Sequence, residues 1–588
     1  MAKVSGGEPG RGTPVKGKTV LKPFDYQNVR LLPSRFLAQV EHARELYGSL
    51  SNDDILAGFR REAGLPASGG MKGWCATTSA VIFGQLMSGM VRLGRATGDD
   101  QLINKAIALY EGWSKTLPPD GNARMRLYDW DKLVCGLVDL AHYGGVSGAI
   151  AALKKSVEWA ARTFDRARQP ADRHDFWGAG PGDTSEWYTL PENLYRAYLF
   201  FGDPLFRDFG DVWLYHDYWR AFAQSAESSK VLSVHAYSHV NSFSSAAAAY
   251  LVTGDDRYRQ ICINGYDFVL STQCYATGGY GPDERLMPPD GSLGRSLDLY
   301  GYHAEIPCGS WAAFKLSLYL IGFTGEARFG DWIETILYNA MGASLPPEPD
   351  GKSFYYGDYR PSGGMKTFYW HEWPCCSGTY IQNMAEYHNM IYFRDEEGLA
   401  VNLFIPSEVT WEQGGQRIIL RQVTDYPESE TSTIGLILEK PANFALRFRR
   451  PGWAKDLRIA INGTALDTTT AVGEWVSVDR EWRSGDSVTV AIPMALRPVP
   501  VDRQHPNRAA IMYGPAVLAQ DEACCRRPFA IASSTALTTR LIRENEGLRF
   551  RVTNTVPERH TRYFRPLYSI PGFWPYWIYF DLAVPPLY

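Results

Sequence analysis

Three short stretches hold the residue types best able to do chemistry. Thr277-Gly278-Gly279-Tyr280-Gly281-Pro282-Asp283-Glu284-Arg285 is a glycine-rich loop that ends on two adjacent acids. Tyr302-His303-Ala304-Glu305-Ile306-Pro307-Cys308-Gly309 sets a carboxylate and an imidazole close to a thiol. His371-Glu372-Trp373-Pro374-Cys375-Cys376-Ser377-Gly378-Thr379 carries a vicinal cysteine pair. Adjacent cysteines close only a strained ring when oxidised, so the pair reads as reduced thiols or as metal ligands. Cys308, Cys375 and Cys376 with Glu305 would supply three sulfurs and one oxygen, a set suited to tetrahedral Zn2+. Only the vicinal pair is local, and spacing leaves a second reading open, that of buried structural cysteines. The chain has 9 cysteines in 588 residues. An odd count in so large a chain does not describe a disulfide framework. The second pair, Cys524-Cys525, has only Asp521 and Glu522 for acidic neighbours and reads as non-catalytic.

The elements that must position these groups change character along the chain. Phe83, Leu86, Met87, Met90 and Leu93 recur at helical spacing, Thr97-Gly98-Asp99-Asp100 interrupts, and Leu102, Ile103, Ala106, Ile107, Tyr110 and Trp113 resume. That is a helical hairpin, with Gly98 ending one helix and Asp99 or Asp100 capping the next. Similar punctuation returns at Gly145, Gly202, Gly254 and Gly325, a spacing of about 50 residues that suits one two-helix unit per repeat. About six such units fit between residues 25 and 345, and their long aromatic insertions favour a closed (α/α)6 barrel with a natural cleft at its mouth. After about residue 395 the period becomes two: Leu457-Ile459-Ile461 alternates up to Asn462-Gly463, and Val476, Val478, Val488, Val490 and Ile492 continue it. Short strands with frequent turns predict a β-sandwich. The fold class expected is α+β multidomain, an (α/α)6 barrel followed by one or more β-sandwich domains. The expected boundaries are an extended or disordered segment over 1–22, the barrel over 23–394, and strands over 395–588, with Phe573–Phe580 as a terminal strand that can pack back.

Composition narrows the classes. Lys and Arg total 60 against 64 Asp and Glu, a net charge of −4. That argues against a nucleic-acid partner, which basic clusters would bind. No apolar run is expected to reach the ~18 residues of a membrane span. The first twenty residues hold no apolar stretch of signal-peptide type, and the compartment stays open. Aromatic residues make up 13% of the chain, which suits either a large core or a surface for sugar rings.

The chain resembles the β-L-arabinofuranosidase-like glycoside hydrolases of families 127 and 146 over nearly its whole length. The resemblance runs from Pro23-Phe24-Asp25-Tyr26-Gln27-Asn28-Val29-Arg30-Leu31-Leu32 and Leu56-Ala57-Gly58-Phe59-Arg60-Arg61-Glu62 to Asp131-Lys132 with Gly136-Leu137. It continues through Leu337-Tyr338-Asn339 and the vicinal cysteines with Gly378-Thr379, and ends in Arg565-Pro566-Leu567-Tyr568. It implies a barrel followed by β-sandwich domains, and a retaining hydrolysis with a cysteine nucleophile on zinc. Carried onto this sequence, Cys375 looks like the nucleophile, Glu305, Cys308 and Cys376 like the other zinc ligands, and Glu284 like the general acid/base. The family commonly has one residue between its glutamate and cysteine ligands. Here Ile306-Pro307 makes two, which leaves His303 as a rival fourth ligand. The resemblance also puts a sugar-contacting histidine at His239; from the residues themselves, His235 one helical turn earlier, Asn241, Trp187 and Asp131 are further substrate candidates, and Glu186-Trp187-Tyr188 with Trp177 could form an aromatic wall. Gly84-Gln85 stands where relatives often carry histidines.

The expectation is an exo-acting glycosidase releasing a terminal L-arabinofuranose or related furanose from plant-type glycans, with Zn2+ as cofactor. Competing readings are a furanosidase for an acidic pectic sugar such as aceric acid, a carbohydrate-binding homologue without turnover, and a lyase or uronyl hydrolase on the same barrel. An acidic sugar would need a cationic subsite, for which Arg285 is the obvious nearby residue. The partner expected is a glycan, with no nucleic acid and no membrane; a homo-oligomer is compatible with the sequence.

Overall fold

The computed structural model describes residues 15–168, 186–225, 234–368, 373–468, 471–521, 537–553 and 563–582. Trp177, His371, Glu372, Cys524 and Cys525 lie outside the described residues. Helices come first: α1 (Arg35–Ser49), α2 (Asn52–Glu62), α3 (Ala80–Thr97), α4 (Asp100–Ser114), α5 (Leu127–Gly144), α6 (Ser147–Thr163), α7 (Leu190–Phe201) and α8 (Pro204–Val212). They continue with α9 (His216–Trp219), α10 (Ala236–Thr253), α11 (Asp256–Thr272), α12 (Ser292–Leu299), α13 (Ile306–Thr324), α14 (Gly330–Asn339) and α15 (Cys375–Asn389).

Six of these helices form a closed inner ring. α3 packs on α5, α5 on α7, α7 on α10, α10 on α13, α13 on α15, and α15 returns to α3. Each has an outer partner: α4, α6, α8, α11, α14 and α1 respectively. This is the (α/α)6 barrel. The hairpins turn where the glycine spacing predicts, with Gly98, Gly145, Gly202, Gly254 and Gly325 all in the left-handed region at φ 68 to 77°. A side chain would strain that conformation, so glycine ends each helix cleanly. Asp99, Asp203 and Asp255 then cap the helices that follow, accepting backbone N–H bonds of the first turn.

Two of the inner helices, α3 and α13, are apolar on nearly all faces, in keeping with their being buried on nearly all faces. One of them corrects an expectation: α13 is long and apolar enough for a membrane span, yet it lies buried within the barrel. Close approach is needed where α3 crosses α5. A Cβ on Gly84 would sit 1.7 Å from the Lys132 carbonyl oxygen, and one on Gly136 would sit 2.5 Å from the Gly84 carbonyl oxygen.

Beyond α15 the chain is strand-rich. Two sheets of five and seven strands face each other, with Trp411 of one meeting Phe444 of the other at 5.7 Å between ring centroids. The Asn462-Gly463 hairpin forms as its sequence predicts, with positive φ at both residues between Arg458–Ile461 and Thr464–Leu466. A third sheet of eight strands includes Tyr576–Trp577 and Tyr579–Asp581. Chain order and sheet order are mixed. Lys22–Pro23 pairs with Arg394 and Phe393, and Val29–Leu31 pairs with Val409 to Ser407.

Candidate active site

Because each outer helix returns the chain, the six inner helices run parallel and their N-termini gather at one mouth of the barrel. The chemistry-bearing residues sit there. Cys375 and Cys376 open α15, Cys308 lies in the first turn of α13, and Glu305 is the residue before that helix. Glu305 is held on a two-residue strand whose partner is Tyr356. His235 precedes α10 and Tyr128 lies in the first turn of α5. The Asn383 amide donates to the Pro307 carbonyl at 2.7 Å, tying the start of α13 to α15.

The ligating atoms of Glu305, Cys308, Cys375 and Cys376 all lie within 4.8 Å of one another, and all four residues are buried. The Cys308 sulfur is 3.6 Å from that of Cys375 and 3.3 Å from that of Cys376. Glu305 Oε1 is 3.6 Å from Cys375 Sγ and 3.2 Å from Cys376 Sγ. The electrostatics single out one sulfur. Hydrogen bonds from the Cys308 and Cys376 thiols hold Cys375 well below the ordinary thiol value despite its burial, and Lys132 adds to the effect. Burial pushes Cys308, Cys376 and Glu305 up. Of the three sulfurs, Cys375 is thus the one whose surroundings favour the thiolate.

Glu284 approaches from the glycine-rich loop. Asp283 and Glu284 have φ of 52° and 59°, left-handed backbone that costs energy in residues other than glycine and is found where function demands a geometry. The loop is clamped by a bridge between Arg285 and His235 and by the Leu286 N–H on the Val234 carbonyl. Both phenols of Tyr355 and Tyr356 donate to Glu284 Oε1, that of Tyr355 at 3.0 Å. Glu284 Oε2 is buried and faces His235. His235 links the acids. Its Nδ1 is 3.3 Å from Glu186, and its Nε2 is 3.5 Å from Glu284 Oε2 and 3.8 Å from Glu305 Oε2. Burial opposes a charge on this imidazole, but the hydrogen bonds and charges of Glu186 and then Glu284 outweigh it and raise its pKa well above the ordinary value.

A cleft of about 360 Å³ is lined by Cys375, Glu305, Glu186, His235 and Arg126 and walled by Tyr128, Tyr237, Tyr355 and Trp74; Glu284 is not among its lining residues but contacts two of them, His235 and Tyr355. The size suits one sugar ring with part of its neighbour.

Comparison with known proteins agrees with this geometry. Residues 28–389 match the family model "Beta-L-arabinofuranosidase, GH127 catalytic domain", and residues 398–494 match "Beta-L-arabinofuranosidase, GH127 middle domain". The chain belongs to glycoside hydrolase family 127. Solved structures share the fold. A GH127 beta-arabinofuranosidase superposes with a TM-score of 0.73 at 16% identity, covering 96% of this chain and 98% of that one. A GH127 beta-L-arabinofuranosidase from Geobacillus stearothermophilus T6 gives 0.70 at 17% identity over 95% and 100%. A further glycoside hydrolase gives 0.69 at 15% identity over 97% and 100%. No curated protein sequence matches.

In this GH127 chain the buried Glu305–Cys308–Cys375–Cys376 group could hold a metal ion, and the residues fit one. Three sulfurs and a carboxylate gathered out of water are the soft and hard donors of a tetrahedral metal site, and Glu305 Oε2 is buried with no hydrogen-bond partner. His303 stands outside the group. Its Nδ1 accepts the Tyr359 N–H at 3.0 Å, its ring stacks on Tyr359, and burial lowers its pKa to about 4.

The other sequence candidates divide. His235 lines the cleft. His239, one turn further into α10, is fully buried, with Nδ1 on the His235 carbonyl at 2.8 Å and its ring among Tyr188, Tyr215 and Tyr218. Trp187 is packed against Tyr188, Trp213 and Tyr215 and does not line the cleft. Asp131 and Asn241 lie deeper along the barrel axis, around a separate small polar chamber. Arg285 is half-exposed, 4.0 Å from Asp283, and does not line the cleft either. Sequence reasoning assigned no role to Tyr128, Tyr237, Tyr355, Tyr356 or Arg126. For the tyrosines the aromatic surplus was the one signal, and it does not distinguish a ring in the cleft from one in the core.

Proposed function

We propose that this family 127 enzyme is a retaining, exo-acting furanosidase that releases a terminal L-arabinofuranose, with Cys375 as nucleophile and Glu284 as general acid/base. The observation that carries the reading is the placement of Cys375 on the cleft beside Glu305, with Glu284 reached through the shared His235. Zn2+ is the metal the donor set favours. Held by Glu305, Cys308, Cys375 and Cys376, it would keep the sulfurs ionised and lower the basicity of the nucleophile.

The first displacement forms a bond from Cys375 Sγ to the anomeric carbon as the glycosidic C–O bond breaks. Glu284 gives its proton to the departing oxygen, and Tyr355 and Tyr356 hold the carboxylate that results. In the second, water attacks the same carbon, Glu284 Oε2 takes its proton, and Cys375 leaves as thiolate. Two inversions restore the anomeric configuration. A neutral sugar suits the cleft. Glu186 and Glu305 line it, and the guanidinium of its lining arginine, Arg126, is already held by both oxygens of Asp129 at 3.0 and 3.2 Å.

The test pairs metal analysis with turnover of nitrophenyl furanosides by the wild type, Cys375→Ser and Glu284→Gln. The expected result is about one zinc per chain in the wild type, a loss of at least ~10³-fold in Cys375→Ser, and in Glu284→Gln a covalent sugar adduct on Cys375 that accumulates because the activated leaving group departs without an acid while the base for the water is gone. Full activity in Cys375→Ser would reject the nucleophile. Turnover only of other furanosides would keep the mechanism and replace the sugar.

A further inference from the structure

One acid on the cleft takes part in neither displacement. Glu186 precedes the single turn Trp187–Thr189 that leads into α7. It therefore stands at the barrel mouth with His235, Glu305 and Cys375, and it lines the cleft with them. Its main chain is fixed, the carbonyl accepting from the Thr189 N–H at 3.2 Å. Its side chain uses only one oxygen. Glu186 Oε1 lies 3.3 Å from His235 Nδ1, while Oε2 is buried with no hydrogen-bond partner. A carboxylate oxygen shut away from water without a donor is costly, and a ligand that brings a donor recovers that cost.

The chemistry of the missing partner follows from the acceptor and from the space around it. An ionised carboxylate accepts hydrogen bonds and donates none, so the partner must carry an O–H or N–H. The cleft holds about 360 Å³, which leaves room for little more than one sugar ring. A ring with its anomeric carbon on Cys375 shares that space with Glu186, and its remaining hydroxyls must meet the other walls. Tyr128, Tyr237, Tyr355 and Trp74 offer mainly ring surface there. The lining arginine, Arg126, is engaged by Asp129 at 3.0 Å. Glu186 Oε2 is the buried acceptor on the cleft that stands outside the Glu305–Cys308–Cys375–Cys376 group and is still open to a hydroxyl.

We propose that Glu186 is a substrate-binding residue whose Oε2 accepts a hydrogen bond from a hydroxyl of the sugar seated on Cys375, and that this contact selects a neutral, hydroxyl-bearing ring. The assignment rests on the reading of the enzyme as a furanosidase and adds the residue that sets its choice of sugar. A sugar carboxylate in the same place would meet a like charge and bring no donor, so an acidic ring is rejected. Positive charge builds on the ring as the glycosidic bond breaks, and a carboxylate held on one of its hydroxyls gains strength at that moment. The contact therefore acts on kcat/KM and not on binding alone.

The experiment measures kcat/KM of the full chain, wild type and Glu186→Ala, on a nitrophenyl L-arabinofuranoside and on its 2-, 3- and 5-deoxy analogues. The expected result is a loss of at least ~10-fold in Glu186→Ala on the parent sugar, closing to within ~3-fold on the one analogue that lacks the contacted hydroxyl. On the other two analogues the gap between the enzymes should stay as wide as on the parent. A gap equally wide on all three analogues would overturn the contact and leave Glu186 acting through His235. Equal activity of the two enzymes on the parent sugar would overturn it as well. A wild type that turns over no furanoside would remove the furanosidase reading, and this assignment with it. If Glu186→Ala does not fold, Glu186→Gln, which keeps the length of the side chain and a weaker acceptor, carries the same comparison with a gap of about 3-fold on the parent.

Discussion

Replacing Tyr356 by Phe tests the acid/base assignment without touching the carboxylate. The phenol donates to Glu284 Oε1, the oxygen that Tyr355 also reaches at 3.0 Å. The ring itself is fixed by packing, 4.2 Å from Tyr355 and 4.5 Å from Tyr302 between centroids, so Phe keeps its place and removes only the donor. A hydrogen bond to a charged group contributes about 1.5–3 kcal/mol. It strengthens as Glu284 loses its proton in the first displacement, so it acts on the transition state more than on the bound substrate. With Tyr355 still in place the lower end applies, about 1.5 kcal/mol, or roughly a tenfold fall in kcat/KM. The double variant with Tyr355→Phe leaves that oxygen without either phenol, and its loss should exceed the product of the single losses. The assay compares two leaving groups. A sugar or alkyl glycoside needs protonation as its C–O bond breaks, and a dinitrophenyl furanoside does not. The loss should therefore be about tenfold for the first and near zero for the second. Unchanged turnover of the sugar glycoside, or an equal loss with both substrates, would refute the role given to the tyrosines and weaken that of Glu284.

Other outcomes follow from separate parts of the molecule. Burial lowers the Lys366 pKa to about 7, with its ammonium on the Ile570 carbonyl at 2.7 Å. The unfolded chain holds that proton up to about pH 10, so stability should rise between pH 7 and 10. Lys366→Met should stabilise the protein by about 2–4 kcal/mol at pH 6 and progressively less toward pH 10, as read by chemical denaturation. Gly136→Ala would drive a methyl group against the Gly84 backbone, 2.5 Å from its carbonyl oxygen, and should cost about 1–3 kcal/mol of stability in the same assay. Stripping divalent metal with a chelator should abolish turnover and lower Tm, with Zn2+ restoring both and Mg2+ neither.

The sequence spoke most clearly where structure is local. A glycine that ends a helix carries its own conformational reason, and the five at the hairpin turns take the left-handed conformation expected of them. Closure of the ring was less legible, since the contact of α15 with α3 joins residues almost 300 apart. In the site, residue type identified the sulfur and carboxylate donors, although Ile306-Pro307 lengthens their spacing. The structure absorbs the extra residue by leaving Glu305 on a short strand and starting the helix after it. Histidine was harder. His235 and His239 are four residues apart, and the start of α10 between them puts the first in the cleft and the second in the core. Trp187 shows the same ambiguity, because an aromatic ring satisfies either setting and its surroundings come from distant segments.

The closed ring also dictates an order of events during synthesis. Strands near residues 22 and 30 emerge first and then wait for partners around residues 393 and 408. α3 waits equally long for α15, the helix that completes the circle. Cys375 and Cys376 arrive on that last helix, whereas Glu305 and Cys308 arrive with its predecessor. The four donors therefore meet only when the final gap closes. A metal ion captured there would report that the barrel is finished and would act as a latch across the seam made last. A nascent chain halted before residue 375 would hold every other inner helix and still lack the clasp.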